Sequence, residues 1–149
     1  MAGALTFRPL LRHETDAAAR IHSRGRATLA DIAPPVGTPA QDRTFYRECV
    51  FVEGPILGAF VDGELAGQLA WQPGWIDHLY VDPHWQSRGI GGQLIERVKA
   101  EHDDVQLWTF QANARARRVY ERHGFVAEEF TDGAQNDERA PDVRYRWRR

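Results

Sequence analysis

Between Leu79 and Gly92 the chain reads Leu-Tyr-Val-Asp-Pro-His-Trp-Gln-Ser-Arg-Gly-Ile-Gly-Gly, and this stretch restricts the folds open to it more than any other. A β-branched and aromatic segment stops at Pro83, which has no N–H with which to continue a strand. Gly89, Gly91 and Gly92 then surround Ile90, and apolar residues recur at Ile90, Leu94, Ile95 and Val98. That spacing makes one apolar helical face, carried on to Glu101. A helix that starts at the glycines points its unpaired N–H groups and the positive end of its dipole back at the turn. The missing Cβ atoms let an anion come close to that backbone. Pyrophosphate is the guest such a turn suits.

Several phosphate-binding loops share this physics, and the spacing separates them. No Gly-Lys-Ser or Gly-Lys-Thr follows the glycines, so a P-loop is excluded. A dinucleotide fingerprint needs a small residue three positions after Gly91, and Leu94 stands there. Gln86-Ser87-Arg88 precedes the glycines, giving Gln-x-x-Gly-x-Gly, and Tyr80-Val81-Asp82-Pro83 lies just upstream. Together these residues resemble the acyl-CoA pyrophosphate motif of the GNAT superfamily of N-acetyltransferases. Asn113-Ala-Arg-Ala-Arg-Arg-Val-Tyr120-Glu-Arg-His-Gly124-Phe125 is similar to the second motif of that superfamily. Val105 to Gln111 supplies the strand expected between the two.

The rest of the chain alternates strands and helices. Leu5 to Leu10 is the first predicted strand. A helix follows from about Thr15 through the alanine-rich run to Ile21, and Arg24 to Gly37 is irregular, with Pro34-Pro35 forbidding a long helix. A second helix is predicted from Thr38, with Pro39 in the first helical position and Gln41 completing a capping box, ending near Cys49 or Val50. Ile56 to Val61 and Leu65 to Gln72 form a hairpin around Asp62-Gly63, and Trp75 to Val81 is the next strand. After the glycine helix come the strand Val105 to Gln111, a helix Asn113 to His123 with Gly124 as C-cap, a strand Phe125 to Phe130, a polar loop Thr131 to Pro141 and a last strand. In that last strand Val143, Tyr145 and Trp147 alternate with Arg144, Arg146 and Arg148, which puts the arginines on a solvent face and discourages edge-to-edge pairing of a terminal strand.

Composition narrows the function classes. A chain of 149 residues with 42% hydrophobic residues suits one domain, 1–149, with one core. A formal net charge of −2 argues against nucleic acid as the main partner. No apolar stretch approaches membrane-spanning length, which predicts a soluble cytoplasmic protein with no membrane partner. Cys49 is the single cysteine, so an internal disulfide is excluded; it reads as a buried small hydrophobe rather than a nucleophile. The six histidines are scattered, without His-Glu-x-x-His or paired cysteines, and no metal is predicted.

The resemblance implies an α/β (α+β) GNAT fold, a central mixed, mostly antiparallel sheet of about seven strands flanked by about four helices. It implies acetyl-CoA as co-substrate and direct transfer of the acetyl group to a primary amine, with no serine or cysteine nucleophile. Protons then become the difficulty, because an amine of pKa about 10.4 costs roughly 4.6 kcal/mol to deprotonate at pH 7, at about 1.36 kcal/mol per unit. Tyr120 stands at the family position of the general acid for the leaving thiolate; otherwise it is a core tyrosine packed with Ala116 and Val119. For the base the candidates are Asp77 and His78, with Asp77 preferred. Strand neighbours face opposite sides, so at most one of the two is expected in the cleft.

Cofactor contacts carry over by position. The amides of Ser87, Arg88, Gly89, Ile90, Gly91 and Gly92, with Gln86 ahead of them, would cradle the pyrophosphate, and Arg88 could add a charge. Leu79, Tyr80 and Val81 would meet the pantetheine arm as an added strand does. Asn113 matches the family asparagine at CoA and would equally serve as a helix cap. Arg117 and Arg118 read either as phosphate contacts or as helix surface. In this family the acceptor pocket draws on the first two helices, their connection and the hairpin. Trp71, Trp75, Phe45 and Tyr46 against only Asp31 and Glu48 there suggest a small-molecule amine held by cation–π contact. Two other readings stand beside it: a protein or peptide acetyltransferase, and a non-catalytic CoA-binding regulatory module. Homodimers are common in the family, and this sequence neither requires nor forbids one.

Overall fold

A computed structural model describes residues 3–149. Seven strands form one sheet: β1 (Leu5–Pro9), β2 (Ile56–Val61), β3 (Glu64–Gln72), β4 (Trp75–Val81), β5 (Asp104–Phe110), β6 (Val126–Thr131) and β7 (Asp142–Arg148). Their order is β1-β2-β3-β4-β5-β7-β6. All neighbours are antiparallel except β4 and β5, which run parallel and meet in register only at Trp75 and Gln106. Beyond that pair the two strands part. The mixed, mostly antiparallel sheet is the one expected, and four helices flank it.

Helices α1 (Thr15–Ala27) and α2 (Pro39–Phe45) cover one face. There Ala18, Ala19, Tyr46 and Val50 bury against Leu10, Ile56, Phe60 and Ala70. On the other face lie α3 (Ile90–Ala100) and α4 (Ala114–Arg122). Ile90, Leu94, Ile95 and Val98 of α3 are all buried, packed among Leu69, Val105, Leu107 and Val143. The apolar stripe read from the sequence is therefore the stripe that drives this packing. Among the described residues no helix is long and apolar enough to cross a membrane.

Several local expectations hold for the reasons given. Thr38 caps α2, its side chain accepting from the Gln41 amide at 3.2 Å while Gln41 Oε1 accepts from the Thr38 amide at 2.8 Å. The β2–β3 turn places Asp62 and Gly63 at φ 50° and 83°, the conformation its two-residue loop requires.

Four expectations fail. Helix α1 continues past Ile21 to Ala27 instead of giving way at Arg24, because Gly25 is buried against the ring of Tyr80, where a Cβ would sit 2.6 Å from Cδ1. The glycine thus serves close packing rather than a break. Helix α2 runs on beyond Val50 through a π-helical turn (Tyr46–Val50) to a final α-turn (Phe51–Glu53). This turn directs Tyr46 and Val50 inward and leaves Cys49 exposed, not buried. Finally, β7 is not a sheet edge. It lies between β5 and β6, and its arginines bind carboxylates on both: Arg146 to Asp104 at 2.5 Å, Arg144 to Glu128 at 3.0 Å and Arg148 to Glu128 at 3.1 Å.

Replacing Thr38 by Ala removes one half of the α2 capping box. Urea unfolding should show a loss of about 0.5–2 kcal/mol without a change in slope. An unchanged midpoint would mean that the cap contributes nothing.

Candidate active site

The parting of β4 from β5 opens the sheet, and two cavities meet in the gap. One, about 1240 Å³, lies along Leu79 to Val81, the glycine turn, the start of α3 and the exposed side of α4. The other, about 740 Å³, lies between α1, α2, the middle of β4, the end of β5 and the loop before β7. Leu29, Leu79, Tyr80, Asn113, Ala116 and Tyr120 line both. An extended molecule lying in the first cavity can therefore put its end group into the second.

The first cavity assembles most of the residues expected at the cofactor. Leu79, Tyr80, Val81, Gln86, Ser87, Gly89, Ile90, Gly91, Gly92 and Asn113 all face it. The turn is held from three sides. Asp82 accepts from the His84 amide at 2.9 Å and from Arg24 of α1 at 2.7 Å, and Gln86 Nε2 donates to the Val81 carbonyl at 3.3 Å. Arg115 of α4 then donates to Gln86 Oε1 at 2.7 Å and to Ser87 Oγ at 2.9 Å. Ser87 and Gly89 have φ of 65° and 77°, which turns successive amides toward the cavity. Gly89 is the N-cap of α3 and offers no side-chain cap, so the first amides of α3 remain open to an anion. A Cβ on Gly92 would meet the His123 ring.

Two cationic side chains lie elsewhere than at an anion. Arg88 is not in the cavity wall; its guanidinium stacks 5.0 Å over the Trp85 ring. Arg117 turns inward, donating to the Tyr145 hydroxyl at 2.8 Å, and only Arg118 of that pair reaches the wall. Asn113 performs the capping role, its Oδ1 accepting from the Ala116 amide at 3.2 Å, and faces both cavities as well.

At the junction stands Tyr120. It is buried beside Phe125 and Tyr145, at ring distances of 6.0 and 6.1 Å, and burial raises its pKa, which keeps the phenol protonated. Among the described residues no group bonds its hydroxyl, in contrast to that of Tyr145, which is bonded to Arg117 and Glu121. The core and junction roles thus coexist in one ring.

The second cavity differs from expectation. A β-bulge at Asp77 offsets β4 against β3, so strict alternation is lost and both Asp77 and His78 face the cavity. Asp77 is exposed and accepts from Gln72 Nε2 at 2.7 Å. His78 lies among the rings of His22, Phe45 and Tyr46, and burial lowers its pKa. Of the four predicted aromatics only Phe45 lines the wall; Trp71 packs edge-on against His102 at 5.0 Å, and Tyr46 is fully buried. Nor do Asp31 and Glu48 contribute. Instead Asp42, Asp77, Asp137, Glu138 and Asp142 bring carboxylates from three separate parts of the chain. Glu138 pairs with Arg26 at 3.5 Å, and among the described residues the other four have no basic partner.

Sequence reasoning missed Arg24, Arg115 and the loop acids, whose roles depend on contacts across 28 to 58 residues or more. It also missed His22, one of six scattered histidines, which forms part of the second cavity.

The comparisons agree with this geometry. Residues 41–127 match the acetyltransferase (GNAT) domain family. A Mycobacterium tuberculosis protein described as a probable N-acetyltransferase is 42% identical over 52 residues, covering 34% of this chain and 30% of that protein. An uncharacterized N-acetyltransferase of Archaeoglobus fulgidus is 30% identical over 81 residues, covering 44% of this chain and 55% of its own. The match therefore spans about a third to about half the length of these relatives. Among solved structures, apo YjaB of Escherichia coli superposes with a TM-score of 0.79 at 16% identity, covering 97% of each chain. The paia N-acetyltransferase of Thermoplasma acidophilum, solved with coenzyme A, gives 0.72 at 19% identity over 98% and 99% of the chains. Salmonella typhimurium yncA, solved with its cofactor acetyl-CoA, gives 0.72 at 17% identity over 97% and 94%. With its domain matched over more than half its length and the same fold throughout, the chain belongs to the GNAT acetyltransferase family.

Proposed function

We propose that this protein is a cytoplasmic enzyme that moves the acetyl group of acetyl-CoA directly onto the primary amine of a small cationic molecule. The observation that carries this reading is the meeting of two cavities at the unbonded hydroxyl of Tyr120. The uncapped start of α3 and the positive-φ turn at Ser87 and Gly89 suit a pyrophosphate, and the unpaired part of β4 suits the amides of a pantetheine arm. Two of the structural neighbours hold coenzyme A or acetyl-CoA, which supports the same guest here.

In this arrangement the thioester lies at the gap and the amine enters from the second cavity. Tyr120, kept protonated by burial, gives its proton to the departing thiolate. The acids around the second cavity, including the exposed Asp77 and Asp137, attract and hold an ammonium group, and the walls of Phe45, Val36 and Pro35 receive its apolar part. Four carboxylates without basic partners favour an acceptor with more than one positive charge.

The first test is thermal stability with acetyl-CoA, NAD or ATP, followed by thiol release over a panel of mono-, di- and polyamines, amino acids and a peptide. Stabilisation by acetyl-CoA alone and turnover with a cationic small amine are expected; turnover with the peptide only would overturn the small-molecule assignment. Tyr120→Phe should lower turnover by about 10²–10⁴-fold while keeping the acetyl-CoA thermal shift. Turnover within about two-fold of the parent would remove Tyr120 from the reaction. Asp137→Asn should raise the KM of a cationic amine about two- to five-fold, less so as salt is added, and leave that of acetyl-CoA alone. Equal effects on both substrates would contradict an acceptor role.

A further inference from the structure

Behind the second cavity runs a hydrogen-bonded line of side chains that the proposed reaction does not use. His22 of α1 faces the second cavity, and its Nδ1 lies 2.9 Å from the hydroxyl of Tyr46. Tyr46 is fully buried, and Gln68 Nε2 of β3, also fully buried, donates to the same hydroxyl at 2.6 Å. Among the described residues Gln68 Oε1 has no partner. Either end of a primary amide can meet a hydroxyl, so turning this amide over places Oε1 where Nε2 now lies and lets Tyr46 donate to it. The line therefore accommodates two hydrogen arrangements. In one, Tyr46 donates to His22 Nδ1; in the other, His22 Nδ1–H donates to Tyr46 and Tyr46 donates to Gln68.

The second arrangement leaves the lone pair on Nε2 of His22, a residue that lines the second cavity, and among the described residues no group bonds that nitrogen. It is also the arrangement an imidazolium needs, since Nδ1–H then has an acceptor. Rings fix His22 on two further sides, Tyr80 at 4.7 Å and His78 at 5.5 Å, and Tyr80 itself lines the junction with the first cavity. His78 is held by ring packing alone: among the described residues no group hydrogen-bonds either of its ring nitrogens. Asp77 is exposed at the rim and already accepts from Gln72.

We propose that His22 is the group that takes the proton from the acceptor's ammonium, with Tyr46 and Gln68 as the residues that position it. This rests on the acetyltransferase reading of the site. One ammonium proton moves to Nε2 of His22 and from there to water in the open cavity. The neutral amine forms the C–N bond to the thioester carbonyl as the C–S bond breaks. Tyr120 protonates the thiolate and regains a proton from the nitrogen, and the third hydrogen stays on the amide.

The charged surroundings favour a neutral His22 at rest. Burial and, after it, His78 of β4 depress its pKa to about 4; Asp42 of α2 pulls the other way, and Arg26 of α1 adds the least. Tyr46 and Tyr80, both with raised pKa, are neutral neighbours, and Glu138 is engaged by Arg26. The lone pair is thus present across the neutral range, and the acid limb of the rate is expected well below the ordinary histidine pKa.

Two substitutions and a small base test this. His22→Ala empties the ring site, and His22→Gln can keep a hydrogen bond to Tyr46 but cannot take the proton. Both should lose about 10²–10⁴-fold in kcat while keeping the acetyl-CoA thermal shift. Added imidazole should restore His22→Ala in a saturable way, tracking the neutral form of imidazole, and should not restore the filled His22→Gln site. Full activity in His22→Gln, or rescue of His78→Ala in place of His22→Ala, overturns the inference, because a positioning role or the β4 histidine then suffices. The parent protein is assayed alongside. If it releases no thiol with any amine, the acetyltransferase reading fails and this inference with it; if it is active and His22→Ala is equally active, only this inference fails.

Discussion

The site exists because β4 and β5 are held together at one end only. Parallel pairing begins at Trp75 and Gln106, supported by the Gln106 amide on the Gly74 carbonyl at 2.9 Å, and then stops. Each strand keeps its other partner, β3 for β4 and β7 for β5, so the sheet remains continuous while a wedge opens within it. Backbone groups on the inner edge of β4 are left without ladder bonds, a condition that favours any guest able to supply amides in return. Around the wedge the helices act as supports. Gly25 lets α1 lie against Tyr80, Arg24 fixes Asp82 at the start of the turn, and Arg115 braces the turn from α4.

What the sequence disclosed followed local rules. The hairpin at Asp62-Gly63, the Thr38 capping box and the α3 stripe each depend on residues within four positions of one another, and each formed as expected. Most residues expected at the cofactor line one cavity because the glycine turn is a local motif. Where a residue's role depended on a distant partner, reading failed. The stretch from Arg24 looks irregular until Tyr80 is placed beside Gly25, and the β7 arginines look like an edge until β7 is found between β5 and β6. The second cavity was least legible of all. Its acids come from α2, β4, the loop before β7 and the start of β7, and one displaced residue in β4 changes which side chains it contains.

A formal net charge of −2 conceals an uneven distribution. The β7 arginines neutralise Asp104, Glu128 and Glu129 on one surface, while Asp42, Asp77, Asp137 and Asp142 remain uncompensated at the cavity. Local potential, not net charge, is what an approaching cation encounters, and low-dielectric walls strengthen it.

The position of β7 bears on how the molecule is made. Strand β6 is synthesised before β7, yet among the described residues β7 is its one sheet neighbour, and β7 must slide in beside β5. Until then β5 has an open edge with Val105 and Leu107 on it, and the carboxylates Asp104 and Glu128 lack their arginines. A ribosome-bound chain lacking those residues would hold the glycine turn, α3 and strands β1 to β5, with β6 left unpaired. Completion is an insertion event, of the kind that is slow when contacts are distant in sequence and that invites exchange of the same strand between two unfinished copies.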